Sequence, residues 1–328
     1  MLKVGMLSYW HVHAWDYTKQ LMEIDNVKIT AIWDEIPERG QKNAKEIGAD
    51  FEVSVDALLS RGDVDAVVVN APTNMHKNLM VAAARAGKHI FTEKVMALTV
   101  KECEEIADEI RTAGVKFCIS FPHRTIPHNL FAKKVVDEKL IGDVTLLRIR
   151  NAHNGSVGGW LPEHFYDADQ CGGGAMVDLG AHGMYLSRWL LGEPARITSI
   201  FNNYIDKPVE DNAVSVMEFK NKAIAINETG FVTSDSPFSM ELYGTNGSLF
   251  IGGPEDKIRL ISDKLDSKVA GWITPTQLPE ALPSAIDQWV DGILNNGEII
   301  FGLEDGIQLT QLMEGAYKSH RQNSIVEI

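Results

Sequence analysis

Through its first third the chain alternates short apolar runs with amphipathic stretches. "LKVGMLS", "VKITAIWD", "FEVSV", "VDAVVVNAP", "HIFTEK" and "VKFCISF" read as strands. "VDAVVVNAP" is almost continuously apolar, as in a strand buried on both faces. Helical stretches fall between them. Ala14 to Ile24 is one, and "IPERGQKNAKEIG" is another, with Pro37 in its first turn and Gly48 at its end. Asp56 to Arg61 predicts a short helix, and "NMHKNLMVAAARAGK" a helix ending at Gly87. "LTVKECEEIADEIRTAG" carries a capping box, Thr99 with Glu102, and stops at Gly114. Strands alternating with helices of about 10–15 residues predict βαβ units and a doubly wound parallel sheet, with its ligand crevice at the strand carboxyl ends. The class is α/β.

From about Gly142 the rhythm changes. "VTLLRIRNAH", "RITSIFNNYI", "NAVSVMEF", "AIAINETGFV", "FSMELYG", "GSLFIGG" and "KIRLIS" are strand-like, mostly separated by short polar turns. They predict an α+β domain with a large, mostly antiparallel open sheet. One helix interrupts it, "VDLGAHGMYLSRWLLG", and others follow near Ala285 to Leu294 and Asp305 to Gln322. The expected division is a dinucleotide-binding domain over residues 1–121 and a substrate-binding and oligomerisation domain over 122–328. A sheet covered on one face leaves the other for a subunit interface, so a homodimer or homotetramer is expected.

Composition narrows the partners. Lys+Arg of 31 against Asp+Glu of 45 gives a net charge of −14, which repels phosphate backbones and argues against nucleic acid. No apolar run approaches the roughly 20 residues of a membrane span. The strand-like start leaves no room for a signal peptide, so a cytoplasmic protein is expected. Cys103, Cys118 and Cys171 have no C-x-x-C spacing, so they are read as free thiols rather than disulfides or a zinc site.

Candidate chemistry lies at the predicted strand ends. Asp34 follows the second strand at roughly the distance of 20 residues where a Rossmann domain puts the acid that binds ribose hydroxyls. That acid disfavours the 2′-phosphate of NADP, so NAD is expected, with Arg39 able to soften the preference. After the fourth strand, Ala71, Pro72 and Thr73 would line the nicotinamide side of the crevice, and Asn74 would cap the next helix. His76 falls in the first turn of that helix or on the surface. Glu93 and Lys94 stand at the end of the fifth strand. Asp178 and His182, four apart in "CGGGAMVDLGAHGMYLSRW", would share one helix face, where a carboxylate can orient an imidazole that takes a proton. A purely structural Asp-His pair explains the same spacing.

Assembled, the pattern resembles the glucose–fructose oxidoreductase / inositol dehydrogenase / MocA (Gfo/Idh/MocA) family. The matching residues are Asp34, "APTNMH", "EKV" for the family's Glu-Lys-Pro, "GGGAMVDLGAH" for its Gly-Gly-Gly…Asp-x-x-x-His, "ELYGTNGSL" and "EDGIQLTQLMEGAYKSHRQN". The resemblance spans nearly the whole chain. It implies hydride transfer between a nicotinamide and a hydroxyl-bearing carbon of a sugar, sugar derivative or cyclitol. Lys94 would polarise the reacting oxygen, His182 would be the acid/base, and Asp178 would position the substrate or His182. His123, Arg124, Asn154, Trp160, His164 and Tyr166 are pocket candidates by location.

The chain departs from the family in three places. Val95 replaces the proline after the lysine, and Tyr185 stands where a second aspartate is common. The first turn, "LSYWHVHAWDY", has lost the dinucleotide glycines. Without gaps, Ser8, Trp10 and His13 replace them; with a shortened turn, "HVHA" aligns with a later His-Ala. The expectation is that the side chains of Ser8, His11 and His13, with the amides of the following helix, hold the phosphates. Two other readings compete. One is a catalytically silent sugar or nucleotide sensor of the same fold. The other is a metal-dependent hydrolase built on His11 and His13 in a (β/α)₈ barrel. The run of consecutive strands in the second half argues against the barrel, so no metal is expected.

Overall fold

In the computed structural model, which describes residues 1–265 and 271–328, the early apolar runs form one six-stranded sheet. Its strands are β1 (Leu2–Leu7), β2 (Val27–Trp33), β3 (Asp50–Phe51), β4 (Ala66–Val69), β5 (His89–Thr92) and β6 (Phe117–Ile119). All neighbours are parallel and the order is β3-β2-β1-β4-β5-β6. That is the dinucleotide-binding order, with the strand sequence reversing direction between β1 and β4. Every residue of β4 is buried, as its unbroken apolar run requires. "FEVSV" yields only the two residues of β3.

The helices of this sheet are α1 (Ala14–Glu23), α2 (Pro37–Ile47), α3 (Val55–Leu59), α4 (His76–Arg85) and α5 (Val100–Ala113). Pro37 opens α2 and Gly48 closes it in the left-handed conformation. The Thr99–Glu102 capping box forms at the start of α5. Asn74 does not cap α4: it is exposed inside a 3-10 turn, Thr73–Met75, and Met75 holds the cap position without a side-chain bond.

The chain divides into two compact units, Met1–Phe121 with Pro283–Thr310, and Pro122–Leu282 with Gln311–Ile328. The second is built on an eight-stranded sheet. Its strands are β7 (Val144–Ala152), β8 (Pro194–Asn202), β9 (Asn212–Phe219), β10 (Ile224–Gly230), β11 (Ser239–Gly244), β12 (Gly247–Gly252), β13 (Lys257–Ser262) and β14 (Val326–Glu327). The order is β13-β12-β11-β7-β10-β9-β8-β14, antiparallel except for the parallel β7–β10 pair. The helices α6 (Pro127–Asp137), α7 (Ala168–Cys171) and α8 (Ala181–Leu191) belong to this unit. The first sheet is open and six-stranded, so the barrel needed by a hydrolase reading of His11 and His13 is not the fold. No described helix is long and apolar enough to cross a membrane. The three cysteines are buried and not disulfide-bonded.

Two helices follow, α9 (Ala285–Leu294) and α10 (Leu303–Gln322). α9 belongs to the first unit and packs on α1, β5 and β6. Its Trp289 is fully buried, with its ring 5.7 Å from Phe91 of β5. Trp289→Ala should therefore destabilise the first unit by about 3–5 kcal/mol, the usual cost of deleting a buried aromatic. Urea unfolding followed by circular dichroism would show the loss; a change below about 1 kcal/mol would mean that α9 is not part of that core.

Candidate active site

In the first unit the chemistry gathers around the turn after β1. Ser8 is buried and has φ of +77°, the left-handed conformation usual for glycine. A serine held there costs about 1–3 kcal/mol, so the surroundings must fix it. Ser8 Oγ accepts the Trp10 amide at 3.0 Å and Arg39 Nη2 at 3.3 Å. The neighbouring amides are also engaged within the protein. Tyr9 N–H donates to Asp34 Oδ2 (2.9 Å), His11 N–H to the Asn70 carbonyl (3.0 Å) and His13 N–H to His11 Nδ1 (3.2 Å). The Ala14 amide, which opens α1, donates to the His11 carbonyl at 3.0 Å. A glycine-rich turn offers such amides to a pyrophosphate; here protein acceptors take them.

Asp34 is buried at the end of β2. Besides Tyr9 it accepts the Ile36 amide at 2.8 Å, Arg39 Nε at 2.9 Å and Arg39 Nη2 at 2.8 Å. Burial works against the Arg39 charge, but Asp34 and Glu35 outweigh it and raise the guanidinium pKa. Any ligand hydroxyl reaching Asp34 would share it with Arg39.

Beyond β4, the buried Asn70 has neither side-chain polar atom hydrogen-bonded. Buried orphan polar atoms are rare in native structures and suit a polar ligand. Ala71 and Pro72 are buried beside it and Thr73 begins the 3-10 turn. These residues, at the carboxyl end of the central strand of a dinucleotide-ordered sheet, fit a nicotinamide dinucleotide. His76 is not on the surface. It is buried, with Nε2 3.0 Å from the Ala71 carbonyl and Nδ1 3.1 and 3.2 Å from those of Val95 and Met96. It fastens the loop after β4 to the loop after β5, and burial lowers its pKa.

Glu93 and Lys94 are buried just beyond β5, and the Lys94–Val95 peptide is cis. Glu93 Oε2 accepts the Lys94 amide at 2.9 Å. Glu93 Oε1 meets His13 Nδ1 at 3.0 Å and accepts the Tyr17 hydroxyl, which also meets Ser120 Oγ at 2.8 Å. Burial alone would raise the Glu93 pKa, but His11, His13 and Lys94 hold it well below the usual carboxylate range. Tyr17 lies within the first-turn stretch, yet nothing in its spacing marks it as a partner of a residue 76 positions away.

In the second unit, the expected Asp-His helix is not α-helical throughout. Met176–Gly180, which holds Asp178, is a π-turn, and α8 begins at Ala181. A π-turn leaves carbonyls misaligned with the α-helical ladder, and such turns recur at functional sites. Side chains of the sheet take those carbonyls: Thr229 Oγ1 donates to Ala175 O (3.1 Å), Asn151 Nδ2 to Leu179 O (3.2 Å) and Asn227 Nδ2 to Gly180 O (2.7 Å). Glu210, missed in the sequence, accepts the Gly174 and Met176 amides at 3.0 and 2.9 Å and the Tyr317 hydroxyl at 2.6 Å.

His182 is buried in the first turn of α8, and its Nδ1 lies 2.8 Å from the Tyr185 hydroxyl. Tyr185 also accepts the His123 amide at 3.2 Å, and the His123 ring sits 4.5 Å from that of His182. The residue that replaces a family aspartate thus orients the histidine. Asp178 is half-buried, and its charge acts on His153, whose pKa burial lowers.

An open cavity of about 490 Å³ is lined by His153, Asn154, Thr233, Asp235 and Ser236, among others. Of the pocket candidates, Asn154 lines it, and Trp160 donates to Asn154 Oδ1 at 3.1 Å and stands 4.5 Å from His153. Arg124 lies over the Trp189 ring at 5.2 Å. Tyr166 is buried, bonding Ser156 at 2.8 Å beneath Lys207. His164 lies in the 3-10 turn Glu163–Tyr166, its ring 5.0 Å from that of Phe165. His153, Thr233, Asp235 and Ser236 carried no sequence motif.

Two family profiles match. An oxidoreductase family with an NAD-binding Rossmann fold covers residues 4–121, and the GFO/IDH/MocA C-terminal domain covers 130–250. Inositol 2-dehydrogenase of Rhizobium meliloti is 25% identical over 92% of both chains. The scyllo-inositol 2-dehydrogenase (NAD(+)) of Bacillus subtilis is 27% identical over 77% of this chain and 72% of its own. Levoglucosan dehydrogenase in complex with NADH superposes with a TM-score of 0.86 at 21% identity, covering 100% of this chain and 99% of that one. The chain belongs to the Gfo/Idh/MocA family of NAD(P)-binding oxidoreductases.

Proposed function

We propose that this protein is an NAD-dependent dehydrogenase acting on a hydroxyl-bearing carbon of a sugar, sugar derivative or cyclitol. The observation that carries the reading is Lys94, a lysine buried just beyond β5 of a sheet in dinucleotide-binding order. Lysines are seldom buried, and strand carboxyl ends are where such sheets hold ligands. The inositol relatives and the polar lining of the second-unit cavity support the substrate class.

When bound, the nicotinamide would accept the hydride released by the carbinol carbon. The Lys94 ammonium would hydrogen-bond the reacting oxygen and stabilise its developing negative charge. His182 would take the hydroxyl proton on Nε2, with Tyr185 holding the ring through Nδ1. Asp178 would position substrate or His182. Asn70, Ala71, Pro72 and Thr73 would line the nicotinamide side, and Ser8, Trp10, His11 and His13 the phosphate side. His123, Asn154 and Trp160 would meet substrate. The engaged amides of the first turn favour one second reading, a sensor that binds ligand without turnover.

A screen of polyols and sugar acids with NAD and NADP, followed at the nicotinamide absorbance, tests both. Lys94→Met and His182→Ala should each lower kcat by about 10²-fold or more. Full activity in both variants would overturn the site assignment, and ligand binding without turnover across the panel would favour the sensor.

Cofactor choice rests on Asp34. With Glu35 and one arginine beside it, the local charge stays negative and disfavours a 2′-phosphate. NAD should bind about 10-fold or more tightly than NADP, and Asp34→Ala should shrink that ratio by leaving Arg39 for the phosphate. Calorimetry with both nucleotides measures it; a wild-type preference for NADP would refute the role.

We also propose a homo-oligomer through the outer face of the eight-stranded sheet. Ile200 is 70% exposed there and pairs with Val214, and Val216 pairs with Ile226. Ile200→Glu should shift the sedimentation coefficient of the wild-type assembly to that of a smaller species. A wild-type monomer, or an unchanged assembly in the variant, would count against this face.

A further inference from the structure

The first turn and the end of β5 bring together a second set of groups, two of which, His11 and His13, also stand on the proposed phosphate side. His11, His13 and Glu93 each offer one ligand atom, and these atoms lie within 4.8 Å of one another. His13 Nδ1 and His11 Nδ1 stand 3.0 and 4.0 Å from the same oxygen, Glu93 Oε1. The two imidazole rings meet edge to face at 4.9 Å. Because the His13 amide donates to His11 Nδ1, that nitrogen is the unprotonated one and carries a lone pair. That lone pair lies 4.0 Å from the carboxylate oxygen, a spacing that a cation bridges once it replaces the hydrogen bond from the His13 amide.

We propose that His11, His13 and Glu93 form a binding site for a late first-row divalent cation of the Zn²⁺ or Fe²⁺ class. Two imidazoles and one carboxylate are the ligand set such ions favour, whereas Mg²⁺ and Ca²⁺ prefer all-oxygen sites. The surroundings hold the carboxylate as metal sites require. Tyr17 donates to Oε1 and the Lys94 amide to Oε2 at 2.9 Å, so the group is oriented from both sides. His11 and Glu93 are buried, while the His13 side chain is 43% exposed, which gives the ion a route of entry. Three protein ligands leave at least one coordination position for water or an anionic ligand.

The site accounts for the His-x-His of "HVHA" without a barrel. One turn supplies both histidines, and the parallel sheet brings the carboxylate from the end of β5. In the metal-free protein the His13 Nδ1 proton takes the place of the ion, bonded to Glu93; metal binding displaces that proton.

The test uses the full chain, stripped with a chelator and desalted, with no nucleotide or substrate, so its result is independent of turnover. Co²⁺ is titrated near neutral pH and its visible d–d bands are recorded, and Zn²⁺ binding is measured by calorimetry. The expected result is one ion per chain with a micromolar or lower Kd. His13→Ala, at a half-exposed position, and Glu93→Gln should each weaken binding by about 100-fold and abolish the Co²⁺ spectrum. His128→Ala, a half-buried histidine outside the cluster, should bind as wild type does. Absence of both the Co²⁺ bands and Zn²⁺ heat in the wild type would overturn the proposal. Undiminished binding in His13→Ala would also overturn it, whatever the stability of Glu93→Gln.

Discussion

The first unit is organised by the obligation to satisfy one buried carboxylate. Glu93 sits just beyond β5, away from water, and an unpaired charge there would cost several kcal/mol. Three elements meet that demand: the turn after β1 through His11 and His13, α1 through Tyr17, and its own chain through the Lys94 amide. Each partner is then held in turn. Tyr17 is fixed on Ser120, and His13 binds back to His11 through its amide. Lys94 is adjacent to this hub, and His76 ties down the two residues that follow it through their carbonyls. The backbone of Lys94 is therefore held on both sides, by Glu93 at its amide and by His76 at the carbonyls that follow.

The same hub explains why the first turn has no glycines. In a glycine-rich turn the backbone approaches the phosphates and offers its amides. Here Ser8 adopts the glycine-like conformation while its hydroxyl holds the Trp10 amide, and Asp34 holds the Tyr9 amide. The turn is stable by itself because its own side chains and neighbours saturate it. Side chains at the turn, and not its amides, are what it presents beyond itself: imidazoles and a guanidinium in place of a backbone cradle. Arg39 belongs to that surface and joins Ser8 to Asp34 and Glu35, so the turn after β1 and the end of β2 are electrostatically one unit.

Periodicity made the doubly wound parallel class of the first sheet and the capped ends of α2 and α5 legible, because βαβ crossovers and capping residues leave local marks such as Thr99 with Glu102. Motif spacing made Asp34, Lys94 and His182 legible as candidates. What it left out are partners chosen by three-dimensional register. Tyr17 with Glu93 and Glu210 with Gly174 are 76 and 36 positions apart. Asn74 failed as a cap because a 3-10 turn intervenes and moves the helix start to His76. Sequence alone leaves His76 between the first helical turn and the surface; it is in the first turn of α4 and buried, bonded to carbonyls of two loops. The parallel β7–β10 pair was invisible for a related reason: strand alternation reports which face is buried, not which strand lies alongside.

The second unit meets a different constraint, that of seating a wide helical turn on a sheet. The π-turn over Met176–Gly180 displaces backbone carbonyls, and a buried carbonyl without a donor costs about 1–3 kcal/mol. Polar side chains from β7 and β10 meet the cost, and they reach only because the helix lies close. Closeness in turn demands small residues. A Cβ on Gly183 would stand 2.0 Å from Asn227 Oδ1, and one on Gly174 would stand 2.1 Å from the Glu210 carbonyl. The glycines of "CGGGAMVDLGAHG" thus serve the seating of the helix, and only through it the histidine. His182 follows the turn directly, so its position is inherited from backbone bonded to the sheet, and Tyr185 one turn later sets its ring. Trp160 is 55% exposed and its indole donates to Asn154 Oδ1, so it stands on a loop, where residue changes are tolerated more readily than in a helix seated on a sheet.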